Sequence, residues 1–599
     1  MRRRKDEPPV KEDDTACIAH YKLYYSQFLP PCSPSSLYTS TCDKCCSQGG
    51  SYIVDTTSKI LGEVDITSMT SSGSETFSQC LVRMCVASLY SQGVLVSPGQ
   101  LDVVRTAARS GAVIVMALAE SRHRGPVSDA VLQTLALIRH GVGPPTLNIV
   151  KDMSSWDYWA LSVLGTETTK DSQSDLSKII SKGGIVMTEN TSVTLRTFID
   201  KCKTRNLLIV PTSVSQDLCD RSLRGHRARL DIGRPMSVKE MIRGRDSGLA
   251  RLVTHCDIIG RRQTRITPSQ LVSFAVETNF MNLKRQQELT IKDLSKAVSG
   301  LIPLLEIRGA RMSFSGETED VIMWAVKRMG GHVSSDKVSL ESLERDDEFL
   351  SRADSLESYF LFDFAVSVGV FTVLKNRVPT SRTGWRSRRQ SLTVGHQEVV
   401  DTALNVLQFL AEDRVSLLPC EDLNQGVMEA MFRAEISGSL TTVTEEGRSQ
   451  YEAEMNERQR YGWRHGDEED RGYDMTEDTR MVVGHSQEGR NWLDWTAGIM
   501  RHRLMNLYIT LLILYNNVNT EIFTITELET MVKKEVERKR KEGWKGSCRV
   551  GVPTTTKKSI TALAILGIVN IIHKQEICLV NVVRHQEIAE MIQVVLEFG

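Results

Sequence analysis

The sequence predicts an α/β sheet domain, then a mainly α-helical region, then a small winged-type module at the end. Three observations predict this order. Short β-branched apolar runs alternate with helix-spaced segments across roughly 95–255, the pattern of a sheet with helices packed on it. From 265 to 440, apolar residues recur at spacings of three and four. Beyond a charged stretch at 443–490, the chain closes in SITALAILGIVNIIHKQEICLVNV, which reads as a helix, a Gly stop and two short strands.

Taken in order, residues 1–77 are rich in Ser, Thr, Pro and Cys and read as a poorly ordered lead-in holding one short strand, SYIVD. Residues 78–255 form the sheet domain. CLVRMCVASLY and GQLDVVRTAARSG are helical, and GAVIVMALAE is a buried strand. DAVLQTLALIRHG is a helix closed by Gly141; TLNIV, GGIVMTE and NLLIVPTSVS are further strands, with DLSKIIS and SVTLRTFIDKCKT as helices between them. Residues 256–442 are helical through PSQLVSFAVETNF, TIKDLSKAVSGLI, TEDVIMWAVKRMGG and QEVVDTALNVLQFLAE. Residues 443–490 are charged and poor in aliphatics, and read as a disordered linker before the last module, 491–599.

Composition narrows the function. At 599 residues the chain is too long for one core. Its 74 Lys and Arg balance 74 Asp and Glu, so no global field draws it to nucleic acid, and no dedicated nucleic-acid binding is expected. Thirteen cysteines without a regular framework indicate reduced thiols facing the cytosol. Cys42 and Cys45 make half a zinc site that no second pair completes, so no metal is expected. The opening MRRRKDEPPVKEDD has no apolar h-region and is not a secretory signal. YFLFDFAVSVGVFTVL at 359–374 and LMNLYITLLILY at 504–515 fit buried helices better than membrane spans.

Several passages, in order over roughly 97–599, carry a family resemblance. They are SPGQLDVVRTAARSG, LLIVPTSVSQD, IGRPMSVKEMI, MSFSGETEDVIMWAVKRMGGHV, ESYFLFDFAVSVGVFTVLKNR, DRVSLLPC and KKSITALAILGIV. Together they resemble the mitochondrial glycerol-3-phosphate acyltransferase family, which is related to dihydroxyacetone phosphate acyltransferase. The resemblance implies an α/β acyltransferase core and transfer of an acyl group from acyl-CoA to the sn-1 hydroxyl of glycerol 3-phosphate. No cofactor is implied beyond acyl-CoA as co-substrate. It also implies a membrane surface as partner and a place on the cytosol-facing mitochondrial outer membrane.

The family's hallmark is a His and an Asp separated by four residues. The His removes the hydroxyl proton as general base, and the Asp orients and charge-stabilises the imidazole. Here the segment reads AESRHRGPVSDAVL. Asp129 falls at the motif Asp, Arg124 stands at the His position, and His123 is one residue further away, giving H-x5-D. A one-residue bulge through Gly125 and Pro126 brings His123 back into place; the alternative is a solvated Arg-His-Arg loop. In MTENTSV, Glu189 and Thr191 match the family's Glu-Gly-Thr-Arg, while Asn190 and Ser192 replace Gly and Arg.

Phosphate binding then falls to other arginines. DRSLRGHRARLD offers Arg221, Arg224, Arg227 and Arg229 as bidentate donors, or else a solvated basic loop. The expected site is therefore His123 and Asp129 as catalytic residues, with Arg124, Glu189, Thr191, Arg221 and Arg224 binding substrate. SRTGWRSRRQ at 381–390 joins Trp385 to four arginines and suits an anionic membrane surface. The altered motifs leave two other readings open: a catalytically dead family member acting as a scaffold on the outer membrane, and a helical protein-interaction platform.

Overall fold

A computed structural model of the chain describes residues 64–67, 76–118, 128–148, 154–169, 184–188, 207–217, 227–238, 264–280, 289–339, 347–377, 392–410, 423–443, 480–517 and 522–582, with short interruptions, and the single positions 256, 260, 588, 591, 592 and 595. It divides into two compact units. One comprises 1–277, 281–353 and 417–420; the other comprises 278–280, 354–416 and 421–599. The coarse expectation holds: a mixed sheet with parallel strands, together with many helices.

In the first unit the chain runs β1 (Val64–Asp65), α1 (Phe77–Leu89), β2 (Val94–Val96), α2 (Pro98–Arg109), β3 (Val113–Leu118), α3 (Asp129–Arg139), β4 (Thr146–Asn148), α4 (Ser155–Val163), β5 (Glu167–Thr169), β6 (Ile185–Thr188), β7 (Leu207–Asp217), β8 (Arg227–Ile232) and β9 (Met236–Ser237). Strand order is β1-β2-β8-β7-β3-β6-β4-β5, with β9 beside β7. β7, β3, β6, β4 and β5 are mutually parallel, and β8 turns antiparallel to β7. The buried run VIVMAL makes β3 a central strand, because a strand covered on both faces has no solvent side to alternate with.

One sheet face packs against α1 to α4. Ile114, Met116, Leu208, Val210, Val214, Leu230 and Met187 pack with residues of α1 to α4 in one core. Alternation sends their neighbours to the other face. α3 starts at the Ser128–Asp129 boundary and ends before Gly141, whose φ of 71° is the left-handed conformation that closes a helix.

Three helices complete the unit's described core: α5 (Pro268–Glu277), α6 (Ile291–Ile307) and α7 (Thr318–Arg328). α5 is buried throughout Pro268–Val276 and packs on both α6 and α7. Thr267 and Gln270 cap it reciprocally: Thr267 N–H donates to Gln270 Oε1 at 2.8 Å, and Gln270 N–H to Thr267 Oγ1 at 3.3 Å. β10 (Leu289–Thr290), β11 (His332–Ser334) and β12 (Lys337–Ser339) form a small antiparallel sheet. The division into units falls within α8 (Asp347–Glu357), between Ala353 and Asp354.

The second unit is built around α9 (Leu361–Arg377), which packs on α10 (His396–Phe409), α11 (Leu423–Ile436) and α12 (Gln487–Ile499). Gly369 lets α9 and α10 approach closely, since a Cβ there would lie 3.1 Å from the Val399 carbonyl. β13 (Leu392–Gly395), β14 (Leu440–Val443) and β15 (Arg480–Val483) pair as one antiparallel sheet, with β15 in the middle. Residues 480–483 therefore depart from the charged-linker expectation: Met481 and Val483 are buried, and a half-buried strand needs only such an alternation. The helix expected at 359–374 is α9, and the one at 504–515 lies within α13 (Arg501–Asn516); both are buried. Among the described residues, one helical run, 349–376, is long and apolar enough to cross a membrane, yet 78% of its most apolar window is buried.

The chain then forms β16 (Ile522–Thr524), α14 (Ile525–Lys541), α15 (Pro553–Ile565), β17 (Val569–Lys574) and β18 (Ile577–Val582). The sheet order is β16-β18-β17, with α13, α14 and α15 packed on it through Leu507, Leu528, Val532 and Leu563.

A titration prediction arises from α10. His396 is buried at its start, and Nε2 has no hydrogen-bond partner. Burial pushes the imidazole below its ordinary value. The unfolded chain therefore binds a proton that the folded chain refuses, so stability is lost as pH falls below about 6.5. Replacing His396 with Gln is expected to flatten this loss, read as the thermal midpoint measured from about pH 7.5 to about pH 5.5.

Candidate functional site

The parallel strands end together. In register, Ala117 of β3 lies beside Thr188 of β6 and Pro211 of β7, and Thr188 lies beside Asn148 of β4. The Thr212 hydroxyl donates to the Ala117 carbonyl at 3.1 Å, tying β7 to the last turn of β3's ladder. In open α/β sheets, ligands bind in the crevice outside these carboxyl ends. The segment following β3 returns as α3, so Asp129 begins a helix at this edge, half-buried and in the first helical turn. A carboxylate there also faces the positive end of the helix dipole.

Neighbouring groups fix this helix start. Ser128 N–H donates to Asp157 Oδ1 at 2.9 Å. Asp157, buried in α4, also accepts from Ser154 Oγ at 2.6 Å through its Oδ2. Ser128 Oγ is buried and has no hydrogen-bond partner. A Ser at the cap position usually bonds the helix's own N–H groups, and this one does not. The donors of α3's first turn are thus left without a cap from Ser128.

Of the seven expected site residues, Asp129 alone falls among the described residues. His123, Arg124, Glu189, Thr191, Arg221 and Arg224 lie outside them, as do Cys42 and Cys45, the basic segment 381–390, the strand SYIVD and the helices DLSKIIS and SVTLRTFIDKCKT. β6 ends at Thr188, the residue before Glu189.

The basic segment of 220–231 departs from a solvated loop in its second half, which is β8. Arg229 is buried there and paired with Asp231, Nε to Oδ1 at 3.4 Å. β7 extends past the end of β3, and its residues 212–217 pair with β8. Ser213 faces Asp231, and Ser215 faces Arg229, on the side of the sheet away from the apolar core. Arg265 joins from the chain ahead of α5: its N–H donates to Ser215 Oγ at 2.8 Å, and its guanidinium lies 3.6 Å from Asp231. The Ser213 hydroxyl and Asp231 Oδ2 are buried without hydrogen-bond partners. A cavity of about 220 Å³ opens beside this row, lined by Ser215, Arg229, Thr267, Phe314 and Trp324 among others.

The arrangement supplies an acid at a helix start, a guanidinium pair around one carboxylate, and an aromatic-walled cavity. Ser154 and Asp157 were passed over in the sequence, although their S-x-x-D spacing is a local capping signal that could have marked the start of α4. The Arg229–Asp231–Arg265 cluster was not legible, because Arg265 comes from a distant part of the chain.

In the second unit, Asp354, Glu357 and His502 bring ligand-type atoms within 4.8 Å of one another. Arginines already hold these carboxylates. Arg503 donates to Glu357 at 2.7 Å, Arg549 reaches both Glu357 and Asp354, and Lys558 lies 3.9 Å from Asp354. Three side-chain cations against two carboxylates oppose a divalent ion electrostatically. The cluster reads as an ion-pair network. No protein family model matches the chain, and no curated protein matches it either.

Proposed function

We propose that the chain is a glycerol-3-phosphate acyltransferase-like protein that moves an acyl group from acyl-CoA to the sn-1 hydroxyl of glycerol 3-phosphate. The observation that carries the reading is Asp129. It begins the helix that follows a buried parallel strand, at the sheet edge where α/β folds bind ligands, and the resemblance assigns the motif Asp to it. In this reading His123 removes the hydroxyl proton and Asp129 orients the imidazole. The oxygen attacks the thioester carbonyl, and the coenzyme thiolate leaves and takes up the proton. Arg124, Arg221 and Arg224 hold the acceptor phosphate, and Glu189 and Thr191 share in binding the substrate. The reaction needs no cofactor besides acyl-CoA and runs at a cytosol-facing membrane surface, as on the mitochondrial outer membrane. The helix pair and paired strands of the last module support a winged-type assignment.

A second reading is favoured by particular substitutions. Arg124 stands where the family has its His, and Asn190 and Ser192 stand where it has Gly and Arg. Loss of a base and of a charge clamp each costs about 10²–10⁴ in rate, which would leave a scaffold on the outer membrane. Purified protein given palmitoyl-CoA and labelled glycerol 3-phosphate separates the two. Turnover abolished by His123→Ala supports the enzyme. Absence of turnover in folded protein supports the scaffold.

A further inference from the structure

Three strands contribute one residue each to the cavity of about 220 Å³ beside β8. Leu95 of β2 and Ser215 of β7 are the register neighbours of Arg229, so a short row across the sheet lines it. The other walls come from Thr267 and Pro268 at the start of α5, from Phe314, and from Val321 and Trp324 on one face of α7. These walls are held by contacts of the protein's own. Ser313 N–H donates to the Ile266 carbonyl at 2.9 Å, which anchors the residue before Phe314. The Arg328 guanidinium lies 4.5 Å from the centroid of the Trp324 ring, one turn along α7. Thr267 is bonded to Gln270 in the cap of α5.

We infer that this cavity binds a small aromatic monocarboxylate, with the ring against Phe314 and Trp324 and the carboxylate toward Arg229 and Ser215. Size sets the first limit. A cavity of about 150 Å³ holds a benzene ring, so this one has room for a ring with a short acidic arm and none for coenzyme A. Charge sets the second. One oxygen of Asp231 serves two guanidinium groups, Arg229 at 3.4 Å and Arg265 at 3.6 Å. Both distances exceed the roughly 2.7–2.9 Å of a full charge-assisted bond, and a ligand carboxylate supplies a second anion to the pair. Ser215 Oγ accepts the Arg265 N–H at 2.8 Å, which leaves its hydroxyl proton to donate into the cavity.

Asp320 narrows the class further. It is the exposed acid among the lining residues, one turn before Trp324 on α7. A carboxylate at that position repels a second ligand charge, so a monoanion is favoured over a phosphate. The aromatic walls favour a flat ring over an aliphatic chain of the same size. The inference does not rest on acyl transfer: neither glycerol 3-phosphate nor the coenzyme has this chemistry. A chain without turnover that still binds the aromatic acid would sink the catalytic reading alone.

The test is isothermal titration of the full-length protein with phenylacetate. One site is expected, with a Kd of about 1 mM or tighter for a ligand of about ten non-hydrogen atoms. Phenylacetamide lacks the charge and should bind about tenfold more weakly. Hexanoate lacks the ring and should bind about fivefold more weakly. Leu95→Trp fills the cavity and should abolish binding, with urea unfolding showing that the variant is folded. Trp324→Leu should weaken phenylacetate and leave hexanoate nearly unchanged. Four results would overturn the inference: no binding of phenylacetate by wild-type protein; equal binding of the amide or of hexanoate; undiminished binding in folded Leu95→Trp; or displacement of phenylacetate by glycerol 3-phosphate, which would make the cavity a phosphate site.

Discussion

Replacing Glu357 with Ala is expected to destabilise the second unit by about 3–5 kcal/mol, because it strands buried guanidinium groups without their anion. Glu357 is fully buried at the end of α8, with Arg503 from α13 on one oxygen and Arg549, from the chain ahead of α15, on the other. Nearby, Asn506 binds the Ser559 hydroxyl at 2.9 Å and accepts from Gly551 N–H at 2.8 Å, so three parts of the unit meet around one carboxylate. The remaining acid, Asp354, cannot neutralise both arginines. Urea unfolding of full-length protein measures the effect. Glu357→Gln keeps the shape and the hydrogen-bond acceptor, and should lie between wild type and Ala. A loss below about 1 kcal/mol for Ala would mean that solvent reaches these arginines.

The second large effect concerns Asp129. If it orients the general base, Asp129→Ala should lower kcat by about 10²–10⁴-fold and leave KM for acyl-CoA nearly unchanged. Orientation matters in the transition state, where the imidazole becomes cationic; it contributes little to holding the thioester. The same carboxylate also favours the start of α3 by about 0.3–1 kcal/mol through the helix dipole. A purely structural role would therefore show as a small drop in the thermal midpoint with kinetics intact. Steady-state kinetics on Asp129→Ala and Asp129→Asn, beside their melting curves, separates the two.

Much of the sheet was legible because burial on both faces writes itself as an apolar run. VIVMAL of β3, IVMT of β6 and the first half of β7 are such runs. α3 was legible as a helix closed by the Gly after it. β7 was legible as a strand through Ser215, and only its polar last two residues, Gln216 and Asp217, were left out; Ser213 and Ser215 face Asp231 and Arg229 instead of a core. β15 was missed because four residues flanked by charged sequence carry almost no periodic signal, and its strand character comes from β13 and β14 on either side.

Side-chain clusters were the least legible. Arg229 read as one member of a basic loop, since nothing local announces Asp231 and Arg265 as its neighbours. Glu357, Arg503 and Arg549 are brought together by helix packing across long sequence separations. Asp129 was found by resemblance and by its place ahead of a helix. Asp157, which holds the residue before it, carried its own local capping signature.

The most direct test of the acyl-transfer reading is release of free coenzyme A thiol from palmitoyl-CoA, followed with and without glycerol 3-phosphate. The expected result is release that depends on the acceptor, saturates with it, and is lost in His123→Ala. Release that ignores the acceptor, or none from folded protein, would contradict it.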